Sequence, residues 1–397
     1  MKPIKFENNN IIDKLDVCSI TSELVRIPSC SETPGRESEI SKYVYEFLIS
    51  HGIESQLIEA RPGRFNVMGT IRGSGVGRSL MLCGHLDTVP AYDMKDHLSG
   101  EIRDGRLHGR GSCDMKGPLA AMLCAMVDIK NSGHLLKGDL VFAGVADEEE
   151  MGKGIEHIAL NGPYVDGAVV GEPTGMKIAL GHKGLEWIRI DVIGKKVHGG
   201  MMENGINAIA MAGILVQRLH NDYTKFLNTK VHPILGSPTI NVGRICGGDQ
   251  PSTVPGMCTL EVDRRWLPEE TLDQVYEELE VIFESIREEE PRFKAVASGY
   301  YPVSELLPHK PFCTEEGEQI VKDALRVLER LEASDLGLTF FPAWTDAGAL
   351  AGFTDAKCIV VGPGELELAH TSNESIDCNE LELARSFYRE LAVEFCK

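Results

Sequence analysis

Apolar side chains recur at Ile40, Val44, Phe47 and Leu48, a stripe of helical period that predicts a helix over about 36–51. A helix over about 11–29 is expected before it, and Pro28 to Gly35 form the loop between them by their Pro, Ser and Gly content. Strands are predicted at Glu54–Glu59, Asn66–Ile71 and Ser79–Cys83, and a helix at Leu119–Lys130. Two unbroken apolar runs, Asp139–Ala146 and Gly167–Gly171, read as short buried strands rather than half-exposed ones.

The pattern changes near Leu185. It predicts a strand (Leu185–Ile193), a helix (Gly205–His220), two strands (Thr239–Ile245 and Cys258–Asp263), a helix (Glu269–Glu288) and a strand (Phe293–Ser298). Leu272, Val275, Leu279, Ile282 and Ile286 form one clean core stripe in the second helix. The order β-α-β-β-α-β is that of a split βαβ unit, a compact fold in its own right. A separate inserted domain is therefore expected at 183–299, with 1–182 and 300–397 forming a discontinuous first domain. After it the first pattern returns, with helices at Glu315–Leu331 and Leu381–Phe395 and a strand at Ala356–Val361.

At 397 residues the chain exceeds one ordinary core, which agrees with two domains. Its formal charge is −20, against a nucleic-acid or anionic-membrane partner. Eleven cysteines are scattered singly, as in a reducing compartment. The first residues hold no apolar leader, and no apolar run approaches 18 residues, so a cytoplasmic location is expected.

The chemistry gathers where strands end. The run Leu80–Leu82 leads through Cys83 and Gly84 to His85 and Asp87, which share a face if the chain stays extended. A carboxylate beside a histidine is the usual partner of a metal-bound imidazole, although the pair alone is weak evidence. The strand Asp139–Ala146 runs directly into Asp147-Glu148-Glu149-Glu150, and Gly167–Gly171 into Glu172. Asp114 precedes a helix carrying Pro118 in its first turn, a position where a carboxylate serves equally as an N-cap. In open α/β sheets, sites form outside the carboxyl ends of strands, so three such ends bearing metal-competent groups converge on one prediction.

Together these stretches resemble the dinuclear-zinc family of acetylornithine deacetylase, succinyl-diaminopimelate desuccinylase, aminoacylase and glutamate carboxypeptidase. The resemblance runs through Gly84-His85-Leu86-Asp87, Asp114-Met115-Lys116-Gly117, Asp147-Glu148-Glu149 and Gly171-Glu172-Pro173-Thr174. It continues through His198, Asp263-Arg264-Arg265-Trp266-Leu267-Pro268, Thr345-Asp346-Ala347 and Gly362-Pro363-Gly364 to His370. It implies an α/β fold, a zinc-peptidase-like catalytic domain with a mixed sheet flanked by helices, plus an inserted α+β, ferredoxin-like lid and dimerisation domain.

By that resemblance Asp114 bridges two divalent metal ions, with His85 and Glu172 completing one and Glu149 and His370 the other. Zinc suits two imidazoles and three carboxylates, and cobalt or manganese fits the same ligands. The resemblance also makes Glu148 the general base and Asp87 the residue that orients His85. His198 would reach a neighbouring subunit's site in a homodimer, Arg265 would hold a substrate carboxylate, and the Asp114–Met115 peptide would be cis. Arg264 should face away from Arg265, and Lys183 is a weaker candidate for the carboxylate. Ser252-Thr253-Val254-Pro255 stands where many relatives have an asparagine before Val-Val-Pro, which makes Ser252 a substrate-contact position that departs from the pattern.

The function so implied is a metal-dependent amidohydrolase acting on small N-acyl amino acids. The alternatives are a carboxypeptidase or dipeptidase of the same family and a catalytically silent binding protein on the same fold. With Glu148 and all five ligands standing, the silent reading is the least favoured.

Overall fold

The computed structural model describes residues 15–301 and 307–397; the start of the first expected helix lies outside them. Within them that helix spans Val17–Arg26, capped by the Asp16 carboxylate, which accepts the Cys18 and Ser19 N–H groups.

An eight-stranded mixed sheet is the largest feature. Its strands follow the order Glu54–Arg61, Arg64–Ile71, Leu140–Val145, Leu80–His85, Gly167–Val170, Lys357–Val360, Ile178–Ala179 and Leu338–Thr339. Leu80–His85 lies between Leu140–Val145 and Gly167–Val170 and runs parallel to both, with His85 opposite Val145 and Cys83 opposite Val170. Lys357–Val360 is in turn parallel to Gly167–Val170. Four chain exits therefore leave the sheet at one end.

These strands read as continuous apolar runs because both faces are covered. Leu80, Leu82, Leu140 and Phe142 point into one cluster, packed by the helices Val17–Arg26, Ser38–Ser50, Lys116–Ser132, Gln319–Arg330 and Cys378–Phe395. Met81, Cys83, Val141, Ala143 and Val145 point into a second, packed by Lys153–Asn161 and Ala347–Phe353. Those last two helices escaped the sequence reading because both are short, of nine and seven residues. So did a small sheet of Glu101–Arg103, Arg106–His108 and Ser375–Asp377, whose strands are three residues each.

A second sheet has four antiparallel strands in the order Thr239–Gly247, Met257–Trp266, Gly184–Ile193 and Ala295–Gly299. With the helices Ala208–Arg218 and Leu272–Glu289, this is the expected β-α-β-β-α-β order. A third core cluster, which includes Ile188, Ile190, Val192, Leu260 and Phe283, belongs to this sheet and its helices. The first helix runs past its expected end: a wider turn, Leu219–Tyr223, carries it into Thr224–Leu227. No helix among the described residues is long and apolar enough to cross a membrane.

The chain enters and leaves the second sheet side by side. Gly181–His182 pairs with Phe312–Cys313, and Leu185 bridges His309. His182 is fully buried; its Nδ1 donates to the Lys183 carbonyl at 2.9 Å, and its Nε2 accepts the Thr345 N–H at 3.2 Å. His309 stacks on Trp344 with ring centroids 4.4 Å apart. Burial pushes both imidazoles down to about 4, and the Arg265 charge adds to it. An unfolded chain binds these protons near pH ~6.5. Between there and about pH 4 the unfolded state therefore holds more protons, and stability falls as pH drops through that window. His309→Phe keeps the ring stack and removes one of the two titrations. Urea unfolding across that range should show a shallower loss for this variant than for the wild type.

Candidate metal centre

Parallel pairing brings the expected residues together. His85 ends the central strand, Glu148 and Glu149 follow Val145 by three and four residues, and Glu172 follows Val170 by two. His370 arrives from the fourth exit through Gly362-Pro363-Gly364. At Gly362 a Cβ would lie 2.2 Å from the Gly171 carbonyl oxygen, so only glycine lets this segment pass the strand end that carries Glu172.

Asp114 lies at the centre. Its Oδ1 is 3.0 Å from His85 Nε2 and its Oδ2 3.2 Å from His370 Nε2. Glu149 Oε1 is 3.2 Å from His370 Nε2, and Glu172 Oε1 is 3.9 Å from His85 Nε2. One ligand atom each from His85, Asp114 and Glu149 falls within a 4.8 Å group. The N-cap alternative for Asp114 does not hold: the following helix begins at Lys116 with Met115 at its cap position and no side-chain cap. The Asp114–Met115 peptide is cis, as expected.

The electrostatics follow from burying several acids in one place. Burial alone would raise Asp114, but the His370 and His85 imidazoles outweigh it and hold the group well below the usual carboxylate range. His370 is pushed up to about 10 by its bonds to Asp114 and Glu149. Glu148 and Glu172 lie well above their ordinary values, first through burial and then through neighbouring carboxylates, Asp346 among them. Asp346 is itself fully buried, and neither carboxylate oxygen has a hydrogen-bond partner. More buried acid than buried base, with every donor an oxygen or an imidazole nitrogen, fits divalent cations of the zinc, cobalt or manganese kind. His85, Asp114 and Glu172 would hold one ion, and Asp114, Glu149 and His370 the other.

Asp87 plays a part the sequence did not disclose. Its backbone carbonyl accepts from His85 Nδ1 at 3.0 Å, while its carboxylate stands 3.8 Å from that nitrogen. The two carboxylate oxygens instead accept the Glu148 and Glu149 N–H groups at 3.1 and 3.0 Å. The same turn is held from the neighbouring strand. Asn66 accepts the Ala146 N–H and donates to the Gly154 carbonyl, and Arg64 pairs with both Glu37 and Asp147. Arg64 and Asn66 were missed as functional positions. Their period-two spacing in an otherwise apolar strand, Arg64-Phe65-Asn66-Val67, was the available signal.

The remaining expected residues lie in the four-stranded sheet and the loops beside it. His198 is exposed, and its Nδ1 accepts the Gly200 N–H at 3.1 Å. It pairs with Thr253, next to Ser252, whose carbonyl accepts the Gly199 N–H at 2.7 Å. Arg265 makes a two-pronged pair with Asp263, at 2.8 and 3.0 Å. Arg264 points the other way, as expected, into a buried group with Tyr223 and Glu270. Lys183 donates to the Ser237 carbonyl.

The profile of peptidase family M20/M25/M40 matches residues 81–394. Acetylornithine deacetylase of Proteus mirabilis is 29% identical over 388 residues, covering 94% of this chain and 95% of the relative. A probable succinyl-diaminopimelate desuccinylase of Staphylococcus epidermidis is 26% identical over 397 residues, covering 92% and 94%. Among solved structures, aminopeptidase PepT from Bacillus cereus superposes with a TM-score of 0.79 at 21% identity, covering 98% of this chain and 100% of that one. A dinuclear metal binding peptidase from Bacillus subtilis gives 0.70 at 18%, covering 95% and 96%.

Removing Arg64 leaves the fully buried Glu37 carboxylate without a cation and Asp147 with Arg61 alone. Arg64→Met should lower unfolding free energy by about 3–5 kcal/mol, the usual result of breaking a buried pair from one side. Denaturant unfolding of the metal-stripped protein measures it.

Proposed function

This chain belongs to peptidase family M20/M25/M40 and is a metal-dependent amidohydrolase, and we propose that it removes the acyl group from small N-acyl amino acids. The single observation that carries the reading is the Asp114 carboxylate set between His85 and His370, with Glu172 and Glu149 beside them. Relatives named for deacetylation and desuccinylation, each matched over nearly their whole length, support the acyl amino acid as substrate. The peptidase alternative keeps support from the structural neighbours, since a terminal peptide bond is the same amide.

His85, Asp114, Glu149, Glu172 and His370 would hold two divalent cations, zinc by preference, which would acidify the attacking water and polarise the scissile carbonyl. Glu148 then acts as general base: it accepts the proton of the attacking water and returns it to the leaving amine nitrogen. Asp87 keeps this carboxylate in place through the Glu148 and Glu149 N–H groups. Arg265 receives the substrate's free carboxylate in exchange for Asp263, its fork matching either partner. Ser252, in the turn just before Thr253, the residue that pairs with His198, contacts the substrate from there.

In this reading residues 183–299 form a lid and dimerisation domain, and 1–182 with 300–397 the catalytic one. His198, exposed on a glycine-flanked loop, serves the partner subunit's site by donating to the developing oxyanion. The protein is a homodimer, and its eleven free thiols agree with the cytoplasm.

Exhaustive chelation should abolish hydrolysis, and Zn²⁺ or Co²⁺ should restore it. Turnover of N-acetyl and N-succinyl amino acids should exceed that of di- and tripeptides, and the reverse order would favour the peptidase. Glu148→Gln should retain its metal yet lose about 10²–10⁴-fold in turnover, whereas Glu149→Gln should lose metal. Mixing inactive His198→Ala with inactive Glu148→Gln should restore activity, because a mixed dimer holds one site with both residues intact. Proven subunit exchange without recovery would show that His198 does not act across the interface.

A further inference from the structure

Outside the ligand set, one buried pair touches three of the segments that carry it. Arg110 is 3% exposed and Glu374 fully buried, and their charges meet at 2.6 Å between Nη1 and Oε2. The other Glu374 oxygen, Oε1, accepts two backbone N–H groups, from Cys113 at 3.0 Å and from Asp114 at 3.1 Å. Glu374 thus grips the backbone of the central carboxylate while lying four residues after His370.

Arg110 uses the rest of its fork on two further segments. Nε donates to the Pro90 carbonyl at 3.1 Å and Nη2 to that of Ala91 at 3.3 Å, just beyond His85 and Asp87. Nη1 also reaches the Thr371 carbonyl, next to His370, at 3.3 Å. The pair therefore ties together the exit of the central strand, the turn bearing Asp114 and the loop bearing His370. The last of these segments lies far from the other two in sequence, and the eight-stranded sheet does not hold it. The sheet positions His85 by strand pairing, but His370 sits in a loop, exposed and at a positive φ of 62°. A ligand on such a loop is placed only as well as its supports place it.

We propose that Arg110 and Glu374 are positioning residues for the metal pair, setting the His370 loop and the Asp114 backbone at the separation two cations require. This rests on the metal-dependent reading above. Neither side chain touches substrate or metal; they act through Asp114 and His370. A purely structural pair would change the stability of the fold and leave the affinity for metal alone.

The test is a Zn²⁺ titration of chelator-stripped protein against a competing chromophoric chelator, with Co²⁺ loading read by its visible spectrum. Wild type should take two equivalents. In Glu374→Gln at least one equivalent should bind about 10–100-fold more weakly, the usual effect of losing a group behind a ligand, and the Co²⁺ bands should shift. Arg110→Lys keeps the charge pair and hence the fold but loses the fork, so it should weaken the same equivalent to a smaller degree. If either folded variant binds both equivalents within twofold of wild type with an unchanged Co²⁺ spectrum, the pair is structural and the proposal is overturned. A wild type that binds no divalent ion would overturn the metal-dependent reading as well.

Discussion

A carboxylate shared between two imidazoles organises this molecule. Asp114 meets His85 with one oxygen and His370 with the other, and both oxygens lie in a region where burial opposes charge. Such an arrangement persists only if its surroundings hold each group against the pull toward water. Much of the larger sheet's architecture does that. The central strand is buried on both faces, its neighbours run parallel to it, and their register brings three acidic turns to one rim.

Backbone N–H groups and carbonyls do much of the holding. The Asp87 carboxylate takes the Glu148 and Glu149 N–H groups, and Asn66 takes that of Ala146 and donates to the carbonyl of Gly154. Glu148 and Glu149 thus sit on a turn clamped from two strands, with Arg64 joining Glu37 to Asp147 behind it. A turn bearing consecutive acids would otherwise open toward solvent through like-charge repulsion.

The four-stranded sheet works by alternation. Successive residues on Met257–Trp266 face opposite ways, so Arg264 enters the helix-covered core while Arg265 stays half-exposed beside Asp263. One arginine serves the fold, while its neighbour pairs with Asp263 at the surface of the sheet.

The sequence by itself determined the elements and most of the chemistry. Unbroken apolar runs ending in His85, Asp147-Glu148-Glu149 and Glu172 announced buried strands with a polar rim, because a fully covered strand leaves no room for charge until it ends. The β-α-β-β-α-β order was legible for the same reason, since its helical stripe and alternating strands are local patterns. Tertiary structure decided what local pattern cannot carry. It set the strand order and register that make three rims one site, and it assigned the Asp87 carboxylate to the Glu148–Glu149 turn rather than to His85. It also joined Arg110 to Glu374 across 264 residues and buried Asp346 beside the acids. Periodicity reports which face of an element is apolar, whereas contacts between distant segments depend on how elements stack, and that is fixed only when the whole core closes.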